Sequence, residues 1–178
     1  MENKTCCLTG HRPKGFPWDY YNKNSKAQQL YLDTLRAAVV DLIENHGYNY
    51  FISGMALGAD MDFAELCLNL KEQYPDRNIM VEGAVPFPRQ ADKFSKTDLD
   101  RYNRIINRLD KVEVVCDKYV SFCFQKRNEY MVNHSDGVIA VWNGEEKGGT
   151  FNTIKYAKKA KKPIRYVYLQ NIDQLAYE

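Results

Sequence analysis

Short apolar runs alternate with amphipathic stretches from one end of this chain to the other, and that alternation restricts the fold more than any other feature of the sequence. Strand and helix patterns taken in turn are the signature of βα units wound around a parallel sheet. The candidate strands are Thr5–Thr9, Tyr48–Ser53, Ile79–Val85, Val112–Cys116, Gly137–Trp142 and Ile164–Tyr168. Most are near-continuous apolar runs, as strands covered on both faces should be. Between them the spacing predicts helices from Lys26 to Asn45, Ala59 to Tyr74, Asp98 to Asp110, Ser121 to Asn133 and Phe151 to Lys161. Gly47 supplies the stop of the first, and Pro75 that of the second. The expected fold class is therefore α/β: a Rossmann-like, doubly wound, mostly parallel sheet flanked by helices on both faces.

No linker or internal repeat interrupts the pattern, so a single domain over residues 1–178 is expected. A chain of 178 residues buries enough surface to fold without disulfides. Its five cysteines, Cys6, Cys7, Cys67, Cys116 and Cys123, are odd in number and lack a CxxC pair, which points to reduced, buried thiols. The opening Met-Glu-Asn-Lys carries no apolar run of signal-peptide length, and no stretch reaches the roughly 20 apolar residues that span a bilayer. A cytoplasmic protein with no membrane partner is expected. The formal charge of +2 is too small to point to a nucleic-acid partner. Lys155, Lys158, Lys159, Lys161 and Lys162 form a local basic run that reads as a solvated helix face.

In a doubly wound sheet, ligands bind where loops leave the carboxyl ends of the strands. Four segments at such places have ligand-loop character. After the first strand comes Thr9-Gly10-His11-Arg12-Pro13, where Gly10 permits a sharp exit and Arg12 can pair with phosphate oxygens. The second strand runs into Ser53-Gly54-Met55-Ala56-Leu57-Gly58-Ala59-Asp60, whose small residues let backbone N–H groups gather at a helix start. Asp60 and Asp62 there read as complements of the helix dipole. On the fourth helix Arg127 and Asn128 stand side by side near the ligand edge. Between the fifth strand and the fifth helix lies Asn143-Gly144-Glu145-Glu146-Lys147-Gly148-Gly149-Thr150, in which Gly148 and Gly149 can form an anion-binding nest beside the Thr150 hydroxyl.

Other chemistries find less support. His11, His46 and His134 are too scattered for a zinc site, and there is no GxSxG elbow. No metal and no cofactor is expected. Trp18, Tyr20 and Tyr21, in the long first loop, are either a cover over the core or a stacking platform for a base.

Taken together, Gly10-His11-Arg12, the segment Ser53 to Asp60, Pro86-Phe87, Arg127-Asn128 with Met131 and Asp136, and Gly148-Gly149-Thr150 resemble the YpsA family of the SLOG superfamily. The resemblance extends over nearly the whole chain. It implies a Rossmann-like fold related to the DNA-processing protein DprA and to the cytokinin-activating LOG enzymes, and a nucleotide or nucleotide-derived ligand. LOG enzymes are phosphoribohydrolases that use a helical Arg, matched here by Arg127, and a Glu after a glycine-rich loop. In this chain that loop runs Lys147-Gly148-Gly149-Thr150-Phe151-Asn152-Thr153-Ile154-Lys155, with no carboxylate in the first two turns of the helix. Cleaving an N-glycosidic bond requires a carboxylate to stabilise the cationic sugar and activate water. Phe94 stands where the YpsA pattern carries a Trp.

The expectation is therefore a non-catalytic protein that binds or senses a nucleotide-like, ADP-ribose-like small molecule. Gly10, Arg12, Ser53, Gly54, Gly58, Arg127, Asn128, Gly148, Gly149 and Thr150 would line its site. The alternatives are a LOG-like nucleoside monophosphate phosphoribohydrolase and, third, DprA-like binding of single-stranded DNA through the lysine face of the fifth helix. Pairing into a homodimer through sheet-flanking helices is implied by the resemblance alone.

Overall fold

The computed structural model describes residues 2–178. Its elements alternate along the chain as β1 (Thr5–Gly10), α1 (Lys26–His46), β2 (Tyr50–Ser53), α2 (Ala59–Gln73), β3 (Met80–Val85), α3 (Lys96–Ile106), β4 (Lys111–Val114), α4 (Cys123–Asn133), β5 (Gly137–Trp142), α5 (Gly148–Lys159), β6 (Ile164–Tyr168) and α6 (Leu169–Tyr177). The strands form one sheet in the order β4-β3-β2-β1-β5-β6, and every neighbouring pair is parallel. The chain winds outward from β1 to β4, then returns through α4 to place β5 on the other side of β1. That reversal makes the gap between β1 and β5 the topological switch point, where the loops diverge and leave a crevice.

Helices α1, α2, α3 and α6 pack together on one face, and α4 and α5 on the other. The larger core lies under the first group and joins Leu8, Phe51, Ile139 and Val141 of the sheet to Leu35, Val39, Phe63 and Leu70 of the helices. A smaller one, with Cys7, Ile52, Val138, Met131 and Ala157, lies under α4 and α5. Residues alternate between the two cores along β1 and β5, as the period of two requires. All five cysteines are free and buried, and burial pushes the thiols of Cys6, Cys7 and Cys67 up. Among the described residues no helix is long and apolar enough to cross a membrane.

Several element boundaries differ from the sequence reading for identifiable reasons. Helix α3 begins at Lys96 because the Ser95 side chain accepts the Asp98 N–H at 3.1 Å and so caps it. Helix α5 begins at Gly148, three residues before the expected Phe151, so the glycine pair and Thr150 are its first turn. Strand β4 is a short edge strand, and Val112 and Val114 are partly exposed on it. The terminal helix α6 had no counterpart in the sequence reading. It packs Leu169 and Ile172 against the larger core.

Phe16 and Tyr20 of the first loop join the core, Trp18 packs against it, and Tyr21 stays exposed. Phe16 packs edge-on against Tyr31 at 5.1 Å, Trp18 Nε1 donates to Gln28 Oε1 at 2.7 Å, and the Tyr20 hydroxyl donates to Asp62 Oδ1 at 2.8 Å. These contacts favour the cover over the stacking platform. They fasten the loop to α1 and α2. Asp62 is buried among Tyr20, Tyr31 and Arg101, which donate to its carboxylate.

Candidate functional site

The loop after β1 is tied across the switch point. His11 Nε2 accepts the Asn143 N–H at 3.1 Å, and the Asn143 side chain donates to the Gly15 carbonyl at 3.1 Å. Burial lowers the His11 pKa, which keeps the ring neutral and its Nε2 free to accept. Arg12, next in the chain, is exposed and lies over the Phe124 ring, 5.2 Å from its centroid. Among the described residues it forms no ion pair.

The β2–α2 loop packs directly beneath. Ser53 is fully buried; its hydroxyl donates to the Asp60 carbonyl at 2.7 Å and accepts the Met55 N–H at 3.2 Å. It braces a loop in which Met55 takes a left-handed backbone, φ 57°. At Gly58, φ 93°, a Cβ would lie 2.4 Å from the His11 carbonyl oxygen, and the following Ala59 N–H donates to that same oxygen at 3.0 Å. The two loops are thus in backbone contact. Gly10 and Gly54 are equally confined: a Cβ would approach Ala59 Cβ to 2.6 Å at the first and Arg127 Nη1 to 2.7 Å at the second.

Arg127 projects from α4 into this floor and is 5% exposed. Its Nη1 donates to the Gly54 carbonyl and, at 3.5 Å, to that of Ala84, while Nε donates to Asn128 Oδ1 at 2.8 Å. Asp60, the nearby countercharge, is buried as well. Burial pushes its carboxyl up to about 6 despite the opposing pull of Arg127, the Ala56 N–H and Arg12.

The β5–α5 loop is built differently. Gly148 has φ 85°, and a Cβ at either Gly148 or Gly149 would meet nothing within 4 Å. No side chain caps α5, so its first-turn N–H groups are left to solvent or to a ligand. Thr150 is buried beside them, and the Thr153 hydroxyl donates back to the Gly149 carbonyl at 2.8 Å.

A cavity of about 340 Å³ opens between these segments at the switch point. Of the residues singled out from sequence, Gly10, Arg12, Arg127, Asn128, Gly149 and Thr150 line it, and Gly148 opens the same turn as Gly149. Ser53, Gly54 and Gly58 lie beneath its wall, where their work is packing and bracing. Asp60 lines the cavity, although by sequence it reads as a complement of the helix dipole. Its position in the opening turn of α2, directly after a strand-end loop, is the signal that could have marked it. Among the described residues no group of three or more His, Cys, Asp or Glu side chains could hold a metal ion.

The model of the YspA SLOG family, YpsA, matches residues 6–174. The chain belongs to this family. It is 36% identical over 140 residues to the uncharacterized SPbeta prophage-derived protein YoqJ of Bacillus subtilis, covering 71% of this chain and 80% of that protein. To the UPF0398 protein YpsA of the same organism it is 22% identical over 175 residues, covering 97% and 94%. DNA processing protein A (DprA) of Streptococcus pneumoniae has a similar fold, with a TM-score of 0.56 at 15% sequence identity. That likeness takes in 92% of this chain and 50% of DprA, so this YpsA-family chain spans half the length of that neighbour. The motif residue Asp136 has a structural role here: its carboxylate accepts the Thr5 N–H at 2.8 Å and pins β1 to the start of β5.

Proposed function

We propose that this protein binds or senses a nucleotide or nucleotide-derived ligand of ADP-ribose type, whose phosphate rests on the first turn of α5. One observation carries the reading. The uncapped N–H groups of that turn share a switch-point cavity with Arg12 and Arg127. A helix N-terminus bears partial positive charge and outward-facing donors, and guanidinium groups pair with phosphate oxygens in planar, bidentate fashion. With Asp60 ionised the cavity side chains still carry a net positive charge, which suits an anion. The cavity volume fits a phosphate and a sugar, and no step of bond-breaking is required of it.

Asp60 favours a second reading, hydrolysis of an N-glycosidic bond. The first two turns of α5 hold no carboxylate, but the opening turn of α2 delivers one to the same cavity, and a carboxyl held near 6 is suited to proton transfer close to neutrality. Calorimetric titration of ADP-ribose and of AMP, followed by chromatography of the mixtures, tests both readings. Saturable binding with the ligands recovered intact is the expected outcome. Release of free adenine that is lost in Asp60→Asn would favour the hydrolase, and absence of any binding would overturn the phosphate site.

A further inference from the structure

Beside the phosphate cavity runs a second, larger depression of about 1230 Å³, formed by the loops that follow β3 and β4. The two share Arg12, Ala56 and Phe124, so they are one continuous surface. Their chemistry differs. The outer groove is walled by aromatic rings: Phe87 meets Tyr119 edge-on at 5.3 Å and Phe124 edge-on at 5.9 Å. Tyr119 is 61% exposed, so its ring is open to a flat partner. Aromatic side chains gathered along one groove mark a candidate ligand surface.

Arg12 stands where the two depressions meet. It is exposed, it lies over Phe124, and among the described residues it forms no ion pair, although its charge acts on the buried Asp60. With Ala56 and Phe124, Arg12 lines both depressions, so a ligand spanning them would pass beside this guanidinium. A phosphate on the first turn of α5, a second phosphate at Arg12 and a flat ring on the aromatic wall follow one another along that path.

Resting on the phosphate reading above, we propose that the outer groove is a second subsite, which takes the aromatic base of a nucleoside diphosphate derivative while Arg12 holds the phosphate that joins the two halves. The site then prefers a diphosphate-bridged ligand to a mononucleotide. Stacking of a base on an aromatic side chain is sequence-tolerant and is lost on truncation to alanine.

Isothermal titration of ADP-ribose, ADP, AMP and ribose 5-phosphate into wild type, Tyr119→Ala, Tyr119→Phe and Arg12→Ala, with light scattering alongside, tests the assignment. ADP should bind wild type more tightly than AMP, whose single phosphate cannot reach both Arg12 and the α5 turn, and Arg12→Ala should weaken both. Tyr119→Ala should weaken ADP-ribose about tenfold, leave ribose 5-phosphate unchanged, and be rescued by Tyr119→Phe. Equal affinity of ADP and AMP for wild type, or unchanged ADP-ribose affinity in Tyr119→Ala, would overturn the subsite. If that variant instead dissociates a dimer without touching ADP-ribose affinity, the groove seats a second copy of the chain and the proposal falls. Binding of ribose 5-phosphate that survives either failure leaves the phosphate reading standing; if no phosphate compound binds wild type, both readings fail together.

Discussion

At Gly10, Gly54 and Gly58 a Cβ would lie 2.6, 2.7 and 2.4 Å from the nearest atoms, whereas at Gly148 and Gly149 it would meet nothing within 4 Å. The first three lie where two loops and the α4 arginine press together, and the missing side chain lets them pack. The last two open an uncapped helix, and the missing side chain leaves room above its N–H groups. One residue type therefore serves the floor of the site in one region and its vacant face in the other. Glycine-rich character marks both regions alike in sequence; only the surroundings separate them.

The sharpest contrast is expected from alanine. Gly58→Ala combines a left-handed backbone, φ 93°, with a collision against the His11 carbonyl, and should cost about 3 kcal/mol of stability. Gly149→Ala meets no neighbour and replaces glycine within a helical turn, so it should be neutral or stabilising by about 0.5 kcal/mol. Thermal and urea melts of the two variants check this. Similar losses in both would break the distinction.

A smaller effect is expected from pH, again confined to the crowded floor. The folded chain holds the Asp60 proton more tightly than the unfolded chain does, because burial raises the carboxyl to about 6 from an ordinary 3.8. The stabilisation is therefore fully present below the unfolded value and is lost as pH rises through about 6, with an upper bound of about 3 kcal/mol. Asp62, raised by burial as well, contributes in the same direction. Asp60→Asn should flatten the slope of stability between pH 4 and 6.5 without abolishing it, as read from urea melts across that range. An unchanged slope would show that Asp60 does not titrate in the floor as described.

The alternation of patterns made the parallel sheet and most of its helices legible, since period-two and period-3.6 burial are properties of the sequence itself. The four strand-end loops were legible for the same reason: they are the breaks in the pattern. What each loop residue does was not. Ser53 and Gly58 look like ligand-loop residues, yet Ser53 braces its own loop through Asp60 and Met55, and Gly58 lets that loop touch the His11 carbonyl, far away in sequence. Asp60 looks like a dipole complement and turns out to line the cavity. The first turn of α5 reads as loop in sequence because two glycines weaken the local helix signal, although at a helix start their N–H groups need no partner within the helix. Helix α6 was missed because its burial is set by contact with the core that α1 and β6 share.

Calorimetric titration of ADP-ribose into wild type, Gly149→Ala and Gly149→Asp tests most directly whether the open loop faces a phosphate. At an effective dielectric of about 20, a carboxylate about 4 Å from the anion opposes it by roughly 4 kcal/mol, close to a thousandfold in affinity before screening. Gly149→Asp should lose binding on that scale while melting near wild type, and Gly149→Ala, which adds a side chain without charge, should lose far less. An aspartate variant that folds and binds ADP-ribose as tightly as wild type would contradict a phosphate at this loop.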